Sequence, residues 1–430
     1  MKITIDYGQT GLTIQVPDRN LSQILGLRPA PPTSDPDDAV RRALAAPIGA
    51  HPLADLARGR RSASILICDI TRPVPNQLLL QPALSILENA GIAPKNIRIL
   101  IATGLHRAST AAEINAMLGE YIAVRYRIES HDARDAGAHR QIGVIGGAPI
   151  LIDRRYLDAD LKITTGLIEP HLMAGFSGGR KVICPGIAAV ETIRHFHSVS
   201  ILQSPLATAG QIGGNPVHDF SLQAARMAGC DFILNAALDD QRRITGIFVG
   251  DILQAWEKGV EHVRSIAAAP ITTPADIVIT SAAGYPLDGT FYQAVKGLVG
   301  AMPAVRTGGT IIMAASMQEG IGSSEFQSLL ERYSTIQDLE RDLEQPGFFC
   351  IDQWQAQELA LASRRAHITV YSDSLPPEHL SRALVTPARS PEHAIAEALE
   401  RYGPDASITV IPRGPYVLPY VLPVVEAPIY

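Results

Sequence analysis

Three histidines and one lysine that could do chemistry lie within residues 164–197. The histidines are His171, His195 and His197, and imidazole can act as an acid, a base or a metal ligand near neutral pH. Lys181 lies among small residues that disfavour its charge, so it is a possible nucleophile or covalent anchor; the alternative is a surface cation after a turn. Small residues that let the backbone approach a ligand precede it, namely Gly175, Ser177, Gly178 and Gly179. The segment is predicted to be a binding loop.

The helix predicted after this loop separates its two histidines. His195 and His197 are two positions apart, so they cannot share a face. His197 follows Val190 and Ile193 at helical spacing and is predicted to point inward, whereas His195 follows Glu191 on the polar side. A histidine on an apolar stripe is commonly a satisfied core residue. Both a core role and a ligand role remain open for His197 at this point.

Two further polar motifs follow predicted strands. In DITRP, at residues 69–73, the guanidinium of Arg72 could bind a carboxylate or phosphate with Asp69 holding it; a structural ion pair is the alternative. In TGLHR, at residues 103–107, His106 should face a cleft and is a candidate acid or base. His171, in the cluster Glu169-Pro170-His171, comes from a separate loop. Two bases on separate loops suit a reaction on opposite faces of one carbon, as in racemases and epimerases.

Some remaining candidates have structural alternatives. Lys181 does not belong to a phosphate-binding P-loop, because GxxxxGK[ST] requires other glycine positions and a Ser or Thr where Val182 stands. In FYQAVKG, Tyr292 and Lys296 share a helix face, with Gln293 between them, and Trp354 lies in IDQWQAQ. These residues could bind a ligand or could be packing.

Short apolar runs, each ending in a polar or glycine-rich loop, position these motifs. They cover residues 64–68, 97–101, 161–165, 277–280 and 310–313. Their alternation with helical patterns predicts an α/β fold with mostly parallel, doubly wound (Rossmann-like) sheets. Ligands bind at the carboxyl ends of such strands, where the polar loops lie.

Two domains are predicted. The run AAAPITTP at residues 267–274 is interpreted as a linker. Residues 1–272 would form an N-terminal cofactor-binding and catalytic domain, and residues 275–400 a smaller C-terminal α/β domain. Residues 405–430 would return to the first domain as an extended strap. The active site is predicted in the cleft between the domains.

The composition argues against several classes of protein. The 430 residues are 46% hydrophobic, enough for two or three cores, and carry a net charge of −6 in mixed order, so nucleic acid is not an expected partner. The amino terminus lacks the features of a signal peptide and prolines interrupt the apolar tail, so no membrane segment is expected. Four cysteines without CxxC indicate neither a zinc site nor a disulfide framework, and a cytoplasmic location is expected.

Taken together, the motifs resemble the lactate racemase family, whose members use a nickel-pincer nucleotide to racemise or epimerise 2-hydroxy acids. The resemblance covers nearly the whole chain. It rests on DITRP, TGLHR, EPHLMAGFSGGRKVICPGIA with the following histidine, GGNPVHD, YQAVKG, EGIG and DQWQAQ. The long central segment is the most specific of these motifs.

The resemblance implies a role for each matching residue. Lys181 would tether the cofactor, pyridinium-3-thioamide-5-thiocarboxylic acid mononucleotide with nickel, and His197 would complete the coordination of the metal. His106 and His171 would be the paired catalytic acid/bases. Substrate binding would fall to Arg72, Lys296, Tyr292, Gln293 and Trp354, and cofactor binding to Asp69, Thr71, Gly175, Ser177, Gly178 and Gly179.

The implied reaction is a hydride shuttle. One histidine removes the hydroxyl proton of a 2-hydroxy acid while the C2 hydride moves to the cofactor; the planar 2-oxo acid rotates, and hydride and proton return on the other face. Cofactor-synthesis enzymes would be partners for loading. The identity of the 2-hydroxy acid stays open.

Two other classes of function predict different sets of residues. A cofactor-binding or storage protein without racemase activity would need Lys181 and His197 but not both His106 and His171. A nicotinamide dehydrogenase would need a GxGxxG fingerprint after an early strand, which the sequence lacks.

Overall fold

The computed structural model describes residues 1–345 and 347–422. The chain forms two compact units. The central unit is Pro29–Ile266, and the terminal unit combines Met1–Arg28 with the chain from Ala267 onward. Within the described ranges, no helix combines the length and apolar character needed to cross a membrane.

The helices and strands alternate along most of the chain. The strands are β1 (Lys2–Ile5), β2 (Leu12–Gln15), β3 (Leu21–Ile24), β4 (Ala63–Cys68), β5 (Ile97–Ala102), β6 (Arg127–Ser130), β7 (His139–Ile145), β8 (Ala148–Asp153), β9 (Leu161–Leu167), β10 (Pro170–His171), β11 (Gly175–Phe176), β12 (Phe232–Leu238), β13 (Ile244–Gly250), β14 (Ala268–Ile271), β15 (Ala275–Ser281), β16 (Val305–Ala314), β17 (Ala366–Tyr371), β18 (Thr386–Pro387), β19 (Ile408–Ile411) and β20 (Leu418–Val421). The helices are α1 (Pro36–Ala45), α2 (Leu53–Ala57), α3 (Asn76–Asn89), α4 (Ala111–Arg125), α5 (Arg154–Leu157), α6 (Val190–Phe196), α7 (Val199–Leu202), α8 (Pro216–Ala228), α9 (Gln254–Ala267), α10 (Phe291–Ala301), α11 (Ser324–Leu330), α12 (Ile336–Leu343), α13 (Gln353–Arg365), α14 (Pro377–Arg382) and α15 (Pro391–Tyr402).

The central unit is built on a six-stranded sheet in the order β13-β12-β9-β4-β5-β6. All neighbours are parallel except β13, which is antiparallel to β12. Successive side chains of a strand point to opposite faces, and five consecutive residues of β4, from Ala63 to Ile67, are buried. Both faces of β4 are therefore covered, which explains its uninterrupted apolar sequence.

The strand order places three loops at one position on this sheet. From β4 the chain adds β5 and β6 on one side and β9 on the other. The order thus reverses at β4, and a crevice forms at the carboxyl ends of strands at such a switch point. The loops that follow β4, β5 and β9 carry Arg72, His106 and His171. The fold itself gathers the predicted motifs of this unit.

The terminal unit contains a second sheet, in the order β18-β17-β16-β15-β19-β3. Its neighbouring strands are all parallel. The hairpin β1-β2 packs onto it, since Ile5 and Ile14 share a core with Ile277 and Val410. The predicted two-domain α/β architecture with mostly parallel sheets is confirmed.

The domain boundaries differ from those predicted. Residues 1–28 belong with the carboxyl half because β3 forms the edge of its sheet beside β19. The predicted strap at 405–430 stays in the same unit, since β19 pairs with β15 and β20 with β14; residues 423–430 lie outside the described residues. The predicted linker contains the strand β14. Sequence periodicity locates strands but does not show which strands pair, and the pairing decides these boundaries.

Candidate active site

Asp69 holds His106 at the ends of β4 and β5. The Nδ1 atom of His106 lies 2.6 Å from Oδ2 of Asp69. The other oxygen of Asp69 accepts hydrogen bonds from the backbone N–H of Thr71, at 3.1 Å, and from its hydroxyl. Because the carboxylate can only accept, Nδ1 of His106 carries a proton. In neutral His106 the lone pair is therefore on Nε2, as a general base requires.

Asp69 stays ionised in this arrangement. Burial raises its pKa, but the charge of His106 and the hydrogen bonds from His106 and Thr71 outweigh burial, so the net shift of the pKa is downward. An ionised carboxylate fixes the orientation of the imidazole and stabilises its protonated form. Asp69 and Thr71 thus position His106. Their contact with a cofactor stays a prediction.

Replacing Asp69 with Asn should lower kcat by at least about tenfold, because an amide can face Nδ1 with its own N–H and favour the wrong tautomer. It should also remove a pH-dependent part of the stability. Since the folded-state pKa of Asp69 is lowered, its contribution is complete above the ordinary aspartate pKa and is lost as pH falls through the folded-state value. The unfolding temperatures of the wild type and of the Asp69→Asn variant should converge at acid pH. A difference that does not change with pH would contradict the assignment.

Arg72 forms an ion pair with Glu169. Sequence analysis suggests that Asp69 holds Arg72, whereas the carboxylate that pairs with its Nη1 belongs to the loop after β9. The two side chains are 20% and 6% exposed, so the pair is shielded from water. It connects the loop after β4 to the segment of His171 and orients a guanidinium at the crevice.

His171 has the opposite tautomer from His106. Its Nδ1 accepts hydrogen bonds from the backbone N–H groups of Met173 and Ala174, each at 3.2 Å. A ring nitrogen that accepts carries no proton, so Nε2 of neutral His171 carries it. The small hairpin of β10 and β11 supports this geometry by pairing His171 with Gly175. Nε2 thus carries a lone pair in neutral His106 and a proton in neutral His171.

Lys181 and His197 lie beside the same aromatic ring. The Nζ atom of Lys181 is 5.5 Å from the ring centre of Phe196, and the ring of His197 meets Phe196 edge-on at 4.6 Å. His197 does not continue a helical stripe as predicted, because α6 ends at Phe196 and His197 caps it. The ring of His195 contacts Phe220 instead, at 5.6 Å.

The environment of His197 suits a metal ligand. Burial, and then the charge of Lys181, lower the pKa of His197 to about 3. The imidazole is therefore neutral near pH 7 and can offer a lone pair to a metal. The amine of Lys181 lies close enough to influence it. This donor set fits the implied cofactor, which needs a neutral nitrogen ligand and a nearby amine for its tether.

The glycines of the central loop are explained by packing within the central unit. Gly175, Gly178 and Gly179 have positive φ angles. A Cβ atom would lie 2.1 Å from the carbonyl oxygen of Gln211 at Gly175 and 3.2 Å from the ring of Trp256 at Gly179. Ser177 is also used internally, since its hydroxyl donates to the carbonyl of Leu167 at 2.6 Å. The predicted cofactor contacts of these residues stay predictions.

Arg180 is a functional candidate that sequence reasoning missed. Its guanidinium is buried, lies 4.0 Å from the ring centre of Trp256, and donates through Nη2 to the carbonyl oxygens of Ala174 and Phe176. Its Nε and Nη1 have no hydrogen-bond partner among the described residues. Burial lowers the pKa of Arg180 to about 9. The available signal was a basic residue directly after Gly178-Gly179 in an otherwise apolar segment.

The predicted residues of the terminal unit form two hydrogen-bonded pairs. Trp354 Nε1 donates to the hydroxyl of Tyr292 at 2.8 Å, and Nζ of Lys296 donates to the side-chain oxygen of Gln293. Thr290 caps α10 by accepting from the backbone N–H of Gln293. Burial raises the pKa of Tyr292 well above its ordinary value, so its hydroxyl stays protonated.

Comparisons with known proteins identify the family. Residues 7–210 match the model of the lactate racemase N-terminal domain, and residues 271–418 match that of the lactate racemase C-terminal domain. The chain is 36% identical to the lactate racemase of Thermoanaerobacterium thermosaccharolyticum, covering 97% of this chain and 98% of the relative. The chain belongs to the lactate racemase family. The lactate racemase of Lactiplantibacillus plantarum is also 36% identical, with 96% and 98% covered.

Solved structures agree with this placement in the lactate racemase family. The lactate racemase apoprotein from T. thermosaccharolyticum superposes with a TM-score of 0.92 at 36% identity, covering 97% of this chain and all of the other. A protein from Thermotoga maritima has a TM-score of 0.70 at 17% identity, covering 92% of this chain and all of that one, which shows a shared fold.

Proposed function

We propose that this lactate racemase family member racemises or epimerises a 2-hydroxy acid, with lactate as the first substrate to test. The observation that carries the proposal is the pair of opposite tautomers of His106 and His171, on the segments that follow β5 and β9 on either side of β4. The two curated relatives are lactate racemases of nearly the same extent. Because both relatives are named lactate racemases, lactate is the first substrate to test.

In this proposal His106 takes the hydroxyl proton of one enantiomer. Its Nε2 offers the lone pair, and Asp69 stabilises the imidazolium that forms. His171 then supplies a proton from Nε2 to the oxygen on the other face, acting as an imidazolium with protons on both ring nitrogens; this requires its Nδ1 to release the backbone N–H groups of Met173 and Ala174. In the reverse direction His171 must accept a proton at Nε2. The same release serves this direction, because the neutral His171 that accepts at Nε2 carries its proton on Nδ1.

The proposed cofactor is the nickel-pincer nucleotide, tethered to Lys181 with His197 as a metal ligand. When bound, it supplies the hydride acceptor that inversion at C2 requires. Arg72, oriented by Glu169, would bind the substrate carboxylate with its remaining N–H groups. In the terminal unit we assign substrate binding to Lys296, with Gln293 and the Tyr292–Trp354 pair fixing its surroundings.

We also propose that cofactor-synthesis enzymes load the protein. A reducing cytoplasmic location is proposed as well, because all four cysteines are free thiols. The test is to incubate protein co-expressed with those enzymes with enantiopure L-lactate and to measure D-lactate by chiral chromatography. Conversion towards an equal mixture supports the proposal. Loaded protein that converts neither lactate nor a panel of dicarboxylic and sugar 2-hydroxy acids would favour a storage protein.

A further inference from the structure

A second group of possible metal ligands lies in the central unit, apart from the site described above. His131 follows β6, His139 begins β7 and Asp153 ends β8. Their exposed fractions are 1%, 4% and 0%. One ligand atom from each lies within 4.8 Å of the other two. Three such residues gathered in a dry interior need an explanation, because unpaired polar atoms there are costly.

A backbone carbonyl contacts one nitrogen of each imidazole, so that the other nitrogen faces this centre. Nε2 of His131 lies 3.0 Å from the carbonyl oxygen of Ala188, and Nδ1 of His139 lies 2.8 Å from that of Asp135. A carbonyl can only accept, so both of these nitrogens carry protons. The opposite nitrogens, Nδ1 of His131 and Nε2 of His139, then hold the lone pairs of the neutral rings. Metal-binding histidines are typically oriented in this way, by donating their other N–H to a carbonyl or carboxylate.

Nε2 of His139 is the atom that most needs a ligand. It is buried and has no hydrogen-bond partner among the described residues. A buried acceptor without a donor has lost its hydrogen bonds to water and has no other hydrogen bond in their place. A cation bound at this nitrogen would satisfy it.

Arg155 orients the carboxylate of Asp153. Its Oδ1 accepts from the backbone N–H and Nε of Arg155, at 2.9 and 3.0 Å. Its Oδ2 accepts from Nη2 of Arg155 at 2.6 Å and lies 3.1 Å from Nδ1 of His131. Without a cation, a proton between Nδ1 and Oδ2 makes this approach a hydrogen bond. A divalent cation can replace this proton, so binding would release it to solvent.

We propose that Nδ1 of His131, Nε2 of His139 and Oδ2 of Asp153 bind a divalent cation of the zinc type. Two imidazoles and a carboxylate form an established zinc ligand set. Tetrahedral zinc separates its ligand atoms by about 3.3 Å, so zinc binding would draw the three ligand atoms together. The site is structural: the backbone carbonyl of His131 accepts from Thr103 in the loop of His106, and its ring holds Ala188 before α6. It would join the two segments that carry His106 and His197.

The test uses the full-length protein made without the cofactor-synthesis enzymes, stripped with a chelator and exposed to Zn²⁺. We expect one zinc per chain after gel filtration by mass spectrometry of the metal, and a Co²⁺-exchanged sample with the visible absorption of a tetrahedral nitrogen and oxygen site. His139→Gln should weaken zinc binding by more than about tenfold. Zinc should also raise the unfolding temperature of the wild type and not that of this variant.

Two matched controls locate the cation. His51→Ala changes an exposed histidine of the same unit, and His197→Ala changes the proposed nickel ligand; both should keep the zinc. Zinc lost from His197→Ala but kept by His139→Gln would place the cation elsewhere and overturn the proposal. So would a wild type that binds no stoichiometric zinc, a result that leaves His131 simply hydrogen-bonded to Asp153. If His139→Gln fails to fold, a wild type without stoichiometric zinc would still overturn the proposal.

Discussion

The His106→Ala variant is expected to lose about 10²- to 10⁴-fold in kcat/KM for racemisation, the usual contribution of a positioned acid or base. Nε2 of His106 is the proposed acceptor of the hydroxyl proton, and Asp69 orients the ring. Chiral chromatography of the loaded variant measures the loss. Nickel content should stay at the wild-type level, because His106 is not a proposed ligand. His51→Ala, an exposed histidine of the same unit, should keep full activity.

The His171→Ala variant should lose activity by a similar factor and equally in both directions. Two enantiomers have the same free energy, so kcat/KM must be equal in the two directions for any variant. Any kinetic difference between the two directions that arises from the opposite tautomers of His106 and His171 can therefore be seen only in kcat and KM taken separately. Substantial racemisation by either alanine variant would contradict the two-histidine assignment.

The second large effect is expected on cofactor loading. His197→Ala should reduce nickel from about one atom per chain to a trace, because its neutral imidazole is the proposed metal ligand. Lys181→Ala should abolish the added mass of the tethered nucleotide in the intact protein. Both changes should also abolish activity.

His195→Ala is the matched control for loading. It lies two residues from His197, and its ring packs on Phe220. It should keep nickel, added mass and activity. Nickel without added mass in the wild type would replace the tether by reversible binding. Neither nickel nor nucleotide in co-expressed wild-type protein would remove the basis for the proposed chemistry.

The sequence predicts the strands and their loops well because a strand buried on both faces is a short, uninterrupted apolar run. The runs before Asp69, Thr103 and Ser281 are all strands of parallel sheets. The domain limits are not predicted as well. The pairing of β3 with β19 joins residues nearly four hundred positions apart, and no local pattern encodes such a pair.

The candidate site is also predicted only in part from the sequence. Residue types and loop positions predict His106, His171 and Lys181. The partners that give these residues their properties are distant in the sequence: Glu169 pairs with Arg72 across 97 positions, and Asp69 with His106 across 37. The tautomers depend on hydrogen bonds that exist only in the folded chain. Arg180 and the group around His139 are not predicted from sequence for the same reason, because they become notable only when the folded chain buries them.

The most direct test of the account is the fate of the hydrogen on C2. L-lactate carrying deuterium at C2 is incubated with the loaded protein in ordinary water, and the D-lactate formed is analysed by mass spectrometry. We expect the deuterium to stay on C2 of the product, because the histidines exchange only the hydroxyl proton while the hydrogen on C2 leaves and returns as hydride. Replacement of the deuterium by solvent hydrogen would show that a histidine removes a proton from C2 itself, and would contradict the proposed reaction.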